Sequence, residues 1–196
     1  VKSPPAKSPP VKTPPVKTPP KKSWDRQTSW NAVFSDPDLY RAYREHHHEV
    51  SQRTDFDWGP FLAQLEKAAP EFSTREYCGR VRLDKKGVPR LDGCVPGSAS
   101  FISSDIINRV AARPGTFIFH THPDGGASPS VNDLVVADRL CGYHHRFVAN
   151  LVISKDAIFR YGPGWDVVLQ YYHSYSVKEA GNDGTDLSEE LLYARQ

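Results

Sequence analysis

Several features that would assign a chain to a common class of protein are scarce or absent here. The 196 residues contain no apolar run approaching about 18 residues, so no transmembrane helix is predicted. No charged segment followed by an apolar stretch opens the chain, so no signal peptide is predicted either. The three cysteines, Cys78, Cys94 and Cys141, are odd in number and irregularly spaced, which argues against a disulfide framework and favours a reducing compartment. Methionine is absent even at position 1, so we expect a processed or partial chain.

Acidic residues are missing from the tail, residues 1–22. Its residues 1–20 repeat a five-residue unit as VKSPP, AKSPP, VKTPP and VKTPP. Paired prolines fix φ and remove backbone donors, so this tail is predicted to be disordered and extended. Its six lysines contrast with a net charge of +2 for the whole chain, so residues 23–196 carry a net negative charge. The tail is interpreted as a solvated spacer or, alternatively, as an electrostatic anchor to nucleic acid or an acidic partner. These repeats resemble Lys-Ser/Thr-Pro-Pro repeats in proteins of large algal viruses.

Residues 23–57 are rich in aromatic side chains and are predicted to form a partly helical extension. The sequence DPD at 36–38 is typical of a helix start. Three consecutive histidines follow at 46–48. Consecutive helical residues point in different directions, so we expect polar surface side chains there rather than a metal site.

Residues 58–165 alternate helix and strand signals, which predicts an α/β (α+β) domain. FLAQLEKAA has helical spacing, whereas EYCGRVRL and VPRLDGCV are predicted to form a β-hairpin around residues 85–87. SFISSDIINRVAARPG predicts a strand that turns into a helix ending at Pro114-Gly115. TFIFHTHP is strongly β-prone.

The remaining segments of the domain also have clear signals. SPSVNDLVVADRLCGY predicts a helix opened by Ser128 with Pro129 in its first turn. FVANLVIS and AIFRYGP predict two strands around a turn at 155–156. Residues 166–196 are predicted to be a C-terminal extension that ends in the helix LSEELLYARQ.

The segments His120-Thr121-His122-Pro123 and Ser130-Val131-Asn132-Asp133 carry the chemistry. On a strand, residues i and i+2 face the same side, so both histidines can reach one metal ion, and imidazole suits zinc. Ser130 and Asp133 are three residues apart on the predicted helix and share a face. If the first turn of that helix abuts the strand end, Asp133 becomes the third ligand. Three protein ligands leave a position for water, as in catalytic zinc sites.

A zinc-bound water needs a base to remove its proton and later an acid for the leaving amine. Glu76, at the start of the strand EYCGRVRL, is the candidate, and Glu71 is the nearest competitor.

Together, HTHP, the S-x-x-D that follows after seven residues, and the upstream E-x-C-G resemble the motif of the JAMM (MPN-plus, JAB) zinc metalloproteases. The resemblance implies a mixed sheet flanked by helices, with Zn²⁺ bound by His120, His122 and Asp133. It also implies Glu76 as the general acid/base and Ser130 as the group that stabilises the tetrahedral oxyanion. Many members hydrolyse isopeptide bonds, so the implied partner is a protein substrate such as ubiquitin or a ubiquitin-like conjugate.

Two classes of function stay open. One is an active zinc peptidase or isopeptidase. The other is a structural or assembly component, for example of a virus particle, that retains the fold. Accordingly, we expect a cytoplasmic or virion-associated protein without a membrane partner. Cys141, His144 and His145 have no fourth ligand placed beside them and are expected to be helix-end residues. Whether residues 23–57 cover the site as a lid is also left open.

Overall fold

In a computed structural model, the structure describes residues 28–123, 126, 128–155 and 157–162, together with the backbone of 167–173 and 176–179. The repeat tail at 1–22 and the predicted terminal helix LSEELLYARQ lie outside the described residues. Within them, helices pack on a single mixed sheet, which confirms the α/β class. No helix in the described part is long and apolar enough to cross a bilayer.

The helices are α1 (Trp30–Ser35), α2 (Pro37–Ser51), α3 (Gly59–Ala68), α4 (Ser104–Val110) and α5 (Val131–Ala137), and a π-helical turn, Asp138–Tyr143, continues α5. The strands are β1 (Tyr77–Leu83), β2 (Pro89–Pro96), β3 (Phe117–Thr121), β4 (Ala149–Ile153), β5 (Ala157–Tyr161), β6 (Val167–His173) and β7 (Ser176–Glu179). Their order in the sheet is β2-β1-β3-β4-β5-β6-β7. All neighbours are antiparallel except β3 and β4, which are parallel.

The two faces of the sheet bury different sets of side chains because strand residues alternate in direction. In β3, Phe117 and Phe119 pack with Trp58, Phe61 and other apolar residues of one cluster. Ile118 points the other way, into a second cluster that contains residues of α1, α2, α4 and the π-helical turn. By the same alternation, His120 shares the face of Ile118. The candidate ligands therefore lie on the face covered by α4 and α5.

The aromatic extension contributes to both clusters. Trp30 and Tyr43 belong to the second cluster, whereas Val50 and Phe56 belong to the first. Asp36 caps α2 by accepting the N–H groups of residues 38 and 39, so the predicted helix start is confirmed.

The three histidines of α2 behave differently from one another. His46 Nε2 lies 3.3 Å from Thr116 Oγ1, and His47 Nε2 lies 3.2 Å from the Phe147 carbonyl oxygen. Both side chains are half-buried against the sheet, while His48 is exposed as expected. The expectation of surface side chains is therefore wrong for His46 and His47, because they tie α2 to the sheet.

The predicted hairpin is confirmed, with Gly87 at φ +76° in its turn. Gly79 in β1 has a steric reason to be glycine. An added Cβ would lie 2.2 Å from the Gly93 carbonyl oxygen and 2.6 Å from the Phe119 ring. The glycine of E-x-C-G therefore allows β2 and the Phe119 side chain to approach β1.

Two sequence-based boundaries are wrong. The strand expected at the start of SFISSDIINRVAARPG is absent, because Ser98 and Phe101 close a turn and Ser103 then caps α4. That helix ends at Val110, short of Pro114.

The second wrong boundary is the start of α5. The helix is capped by Ser130, not by Ser128. If Ser128 were the N-cap, Val131 would stand three residues later, and a valine side chain cannot accept the backbone N–H of the capping residue. Ser130 is instead followed at the equivalent position by Asp133, which completes a capping box.

The strands β6 and β7 lie in the segment that the sequence analysis assigned to a C-terminal extension. They continue the sheet beyond β5 through antiparallel pairing. The sequence analysis did not predict either strand.

Candidate metal centre

His120, His122 and Asp133 converge at the end of β3. The two histidine Nε2 atoms are 3.1 Å apart. His120 Nε2 lies 3.2 Å from Asp133 Oδ1, and His122 Nε2 lies 3.6 Å from Asp133 Oδ2. Within the described part of the chain, these three residues are the one group of His, Cys, Asp or Glu side chains able to share a metal ion. The predicted ligands are therefore brought together.

The spacing and chemistry of these donors fit a small divalent cation. Tetrahedral zinc with bonds of about 2.0–2.1 Å holds its ligand atoms about 3.3 Å apart, close to the distances observed here. Two imidazoles and one carboxylate are also a donor set found in catalytic zinc sites.

Asp133 is held in place by the capping box of α5. Its Oδ2 atom accepts the Ser130 backbone N–H at 2.6 Å, while Ser130 Oγ accepts the Asp133 N–H at 3.3 Å. These two bonds fix the side chain in the first helical turn. The remaining oxygen, Oδ1, is the one nearer His120. The same residue thus begins the helix and completes the cluster.

His122 is oriented by its second ring nitrogen. Its Nδ1 lies 2.9 Å from the Gly126 carbonyl oxygen, an acceptor, so Nδ1 carries the proton. In the neutral ring, Nε2 is then left with its lone pair facing His120 and Asp133. A carbonyl partner of this kind is the usual outer contact of a metal-binding histidine.

The electrostatics of the cluster favour a cation. Burial by itself raises the pKa of Asp133, but hydrogen bonds from His120 and His122 outweigh burial and hold this pKa far below its ordinary value. Burial by itself lowers the pKa of His122, but its bonds to Asp133 and Gly126, with the nearby charge of Glu76, raise it. The carboxylate therefore stays ionised and attracts positive charge to the imidazoles.

Glu76 lies directly before β1, beside this cluster. Its backbone N–H donates to the Ser98 carbonyl and its own carbonyl accepts from Gly97, each at 2.8 Å. Since Cys78 pairs with His120 in the antiparallel register, Glu76 falls opposite His122 two residues further along. The residue is 8% exposed and lines the same cleft as the three candidate ligands.

The competitor Glu71 is placed elsewhere. It forms an exposed ion pair with Arg75 at 3.1 Å, and it does not line the cleft. Of the two acids, Glu76 is the one that the fold positions beside the metal cluster.

A cleft of about 860 Å³ adjoins the cluster, a volume within the usual range for ligand pockets, about 300–1,000 Å³. The sheet forms its floor through Cys78, Ile118, His120 and Asn150. One wall comes from residues 100–107 and the other from residues 130–139, including the exposed Val135 and Arg139. None of residues 28–57 lines this cleft, so this part of the extension does not cover it.

Other residues considered from the sequence are not brought to the site. Cys141 is fully buried in the π-helical turn, His144 ends that turn, and His145 has φ +49° just after it. All three cysteines are free thiols, as the irregular spacing predicts.

Sequence reasoning missed Asn150, a buried amide on the floor of the cleft. Its signal was visible as one polar residue within the apolar run FVANLVIS.

Comparison with known proteins gives viral relatives of undescribed function. An uncharacterized protein of African swine fever virus, from a Malawi tick isolate, is 30% identical over 154 residues, which cover 70% of this chain and 46% of the relative. An uncharacterized protein of a Kenya pig isolate is 29% identical over 154 residues, covering 70% and 47%. No family model matches the chain. The chain spans a little under half the length of the curated relatives it matches.

Proposed function

We propose that this chain is a zinc-dependent peptidase or isopeptidase of the JAMM type. The observation that carries the proposal is the cluster of His120, His122 and Asp133, whose donor atoms are 3.1–3.6 Å apart. Glu76 beside it and a cleft large enough for a polypeptide segment add support.

In the proposed reaction, His120, His122 and Asp133 hold the ion, and the capping box keeps Asp133 aimed at it. Zinc, when bound, supplies Lewis-acid activation of water and of the substrate carbonyl. Glu76 accepts a proton from the attacking water at its carboxylate and then donates it to the departing amine nitrogen.

Ser130 has a separate role in the proposal. Its Oγ already accepts the Asp133 N–H, which leaves the hydroxyl proton free to donate to another acceptor. The side chain is exposed and lines the cleft. We assign that proton to the oxyanion that develops when the substrate carbonyl is attacked.

We also propose a protein substrate, with ubiquitin or a ubiquitin-like conjugate as the first candidates to screen. The similarity to proteins of African swine fever virus supports a viral origin. It makes a cytoplasmic or virion-associated location the working hypothesis.

The alternative function is an assembly component, for example of a virus particle. One observation favours it: Phe34 and Tyr40, 46% and 38% exposed, extend an aromatic group that begins at the buried Trp30. Such a surface suits contact with another protein. In this alternative the basic tail anchors the chain to nucleic acid or an acidic partner.

The first experiment is the metal content of the purified full chain and of a His120→Ala/His122→Ala variant. We expect about one zinc per parent chain and none in the variant, since a catalytic site of this type uses three protein ligands. His48→Ala/His144→Ala is the matched control, because both of its histidines are exposed and distant from the cluster in sequence. A folded parent that takes up no zinc on reconstitution would reject the enzyme and leave the assembly function.

The second experiment separates the two functions. Glu76→Gln is expected to keep zinc and lose cleavage of isopeptide-linked and linear substrates. Glu71→Gln, which changes the exposed competitor, is expected to keep both. Equal loss in the two variants, or no loss in either, would contradict the role of Glu76.

A further inference from the structure

Asn150 in β4 has a buried amide oxygen, Oδ1, that lacks a hydrogen-bonding partner within the described residues. The residue is 3% exposed and lines the floor of the cleft. No donor within the described residues reaches its Oδ1 atom. Buried side-chain oxygens are nearly always hydrogen-bonded, and an unpaired one is destabilising. An acceptor kept at this cost, on the floor of a cleft, points to a ligand that donates to it.

The distance between Asn150 and the metal cluster sets the length of ligand that could contact both. Asn150 pairs with Ile118, which precedes His120 by two residues on β3. Strand rise and strand spacing together place Asn150 roughly 8 Å from His120 along the floor. That distance corresponds to two or three residues of an extended polypeptide.

Apolar side chains also line the cleft. Ile107 and Val136 do so and pack against the apolar cluster that contains Ile118, the strand neighbour of Asn150. A carboxamide beside apolar side chains matches a peptide main chain with an apolar side chain, since the two amides have complementary donors and acceptors. The carboxylates of Glu76 and Asp133 at the other end disfavour a polyanion such as nucleic acid.

We propose that this end of the cleft is a substrate subsite, in which Asn150 Oδ1 accepts a main-chain N–H two or three residues from the scissile bond. Ile107 and Val136 then contact an apolar side chain of the substrate. Asn150 is a positioning residue here, because it does not touch the reacting atoms. The inference rests on the proposed peptidase function and adds an extended segment with an apolar residue as the substrate class.

The test measures binding as well as turnover. A Glu76→Gln full chain, loaded with zinc, is screened against a randomised library of capped octapeptides to select a binder. That peptide is then remade as a series of esters, each with one main-chain N–H replaced by oxygen. Binding of every ester is compared in the Asn150 and Asn150→Leu versions of the Glu76→Gln chain.

One ester is expected to weaken binding about 3- to 10-fold, the effect of one neutral hydrogen bond. Asn150→Leu is expected to weaken the unmodified peptide by the same factor and to make that ester harmless, as in a double-mutant cycle. Its unfolding midpoint is expected to stay level or rise, because an unsatisfied polar atom is removed. Asn108→Leu, an exposed asparagine of α4, is the control and leaves binding unchanged.

The remaining outcomes are also decisive. The subsite would be overturned if the ester and Asn150→Leu weakened binding independently, so that their factors multiplied. It would also be overturned if Asn150→Leu bound the unmodified peptide as tightly as Asn150 does, or if the library yielded no binder. A lower unfolding midpoint in Asn150→Leu and in Asn150→Ser would mean that the amide is structural, filled by an internal water, and would overturn it too. If binding is coupled to Asn150 but the parent chain cleaves no substrate, the contact between Asn150 and a peptide main chain is upheld, whereas the peptidase function, and with it the assignment as a substrate subsite, is rejected.

Discussion

Ser130 has two separable roles, and replacing it by alanine tests both. The change removes the Oγ acceptor for the Asp133 N–H and the hydroxyl proton assigned to the oxyanion. It leaves the Ser130 backbone N–H, which still donates to Asp133 Oδ2 at 2.6 Å. Asp133 therefore keeps one of its two orienting bonds.

The magnitudes follow from these contacts. Loss of an N-cap acceptor costs about 1 kcal/mol, equivalent to about 2–4 °C in the midpoint of a domain of 150–250 residues. Loss of one oxyanion donor lowers kcat by about 10²–10³. Zinc content is expected to stay near that of the parent, because all three ligands and one bond to Asp133 remain.

The assays are thermal unfolding, zinc stoichiometry and turnover of the substrate found in the isopeptide screen. Ser130→Thr retains a hydroxyl and is expected to restore most of the cap and the rate. Ser128→Ala is the matched control, since that serine lines the cleft but does not cap α5. A Ser130→Ala protein with kcat within about twofold of the parent would refute the oxyanion role. Loss of zinc from it would show that Ser130 acts through Asp133 instead.

Three further predictions concern the scaffold, each measured by urea unfolding of the full chain. Gly79→Ala is expected to cost about 3 kcal/mol, because the new Cβ would lie 2.2 Å from a main-chain oxygen of β2. Gly126→Ala is expected to be tolerated, because no atom of the described residues lies within 4 Å of the added Cβ. Asp36→Ala should cost about 1 kcal/mol through loss of the α2 cap, and Asp36→Ser, which keeps a cap, a few tenths; equal costs would contradict the capping role. Asp92→Ala should cost about 3–5 kcal/mol, because it leaves the Arg80 guanidinium, 3.2 Å away and 13% exposed, without its buried carboxylate, and a cost below about 1 kcal/mol would contradict this.

The metal cluster could be predicted because it depends on short-range geometry. His120 lies in β3, and His122 is the first residue beyond the strand, where its N–H still donates to the Ile153 carbonyl. The two-residue period of a strand therefore brings both imidazoles together, and the S-x-x-D spacing places Asp133 in a first helical turn. What the sequence could not decide was which serine begins the helix. Ser128 precedes a proline, a strong local signal, but Asp133 makes Ser130 the better cap.

The other misses depend on long-range contacts. The strand expected after β2 is replaced by a turn at Ser98, because β2 lies at the edge of the sheet and the chain must leave it to reach α4. β6 is a strand through its antiparallel pairing with β5, a contact that the local sequence of residues 167–173 does not reveal. His46 and His47 become half-buried only because α2 packs on the sheet.

The position of the cluster in the sheet explains why a few residues suffice to build it. β3 has an antiparallel neighbour on one side, β1, and a parallel neighbour on the other, β4. From β1, the antiparallel register delivers an acid, Glu76, beside the end of β3. The connection to a parallel strand must cross the sheet face, so the chain leaves β3 through His122 and enters α5 directly above it. One strand end thus receives the imidazoles from β3, the carboxylate of Asp133 from the crossover and the candidate base from β1.

Moving Glu76 by one residue would turn its side chain to the opposite face of the sheet, into the apolar cluster around Phe119. The chemistry we propose therefore depends on the β1–β3 register as much as on the motif residues. Gly79 supports that register, because the absence of a Cβ lets β2 and the Phe119 side chain of β3 approach β1 three residues after Glu76.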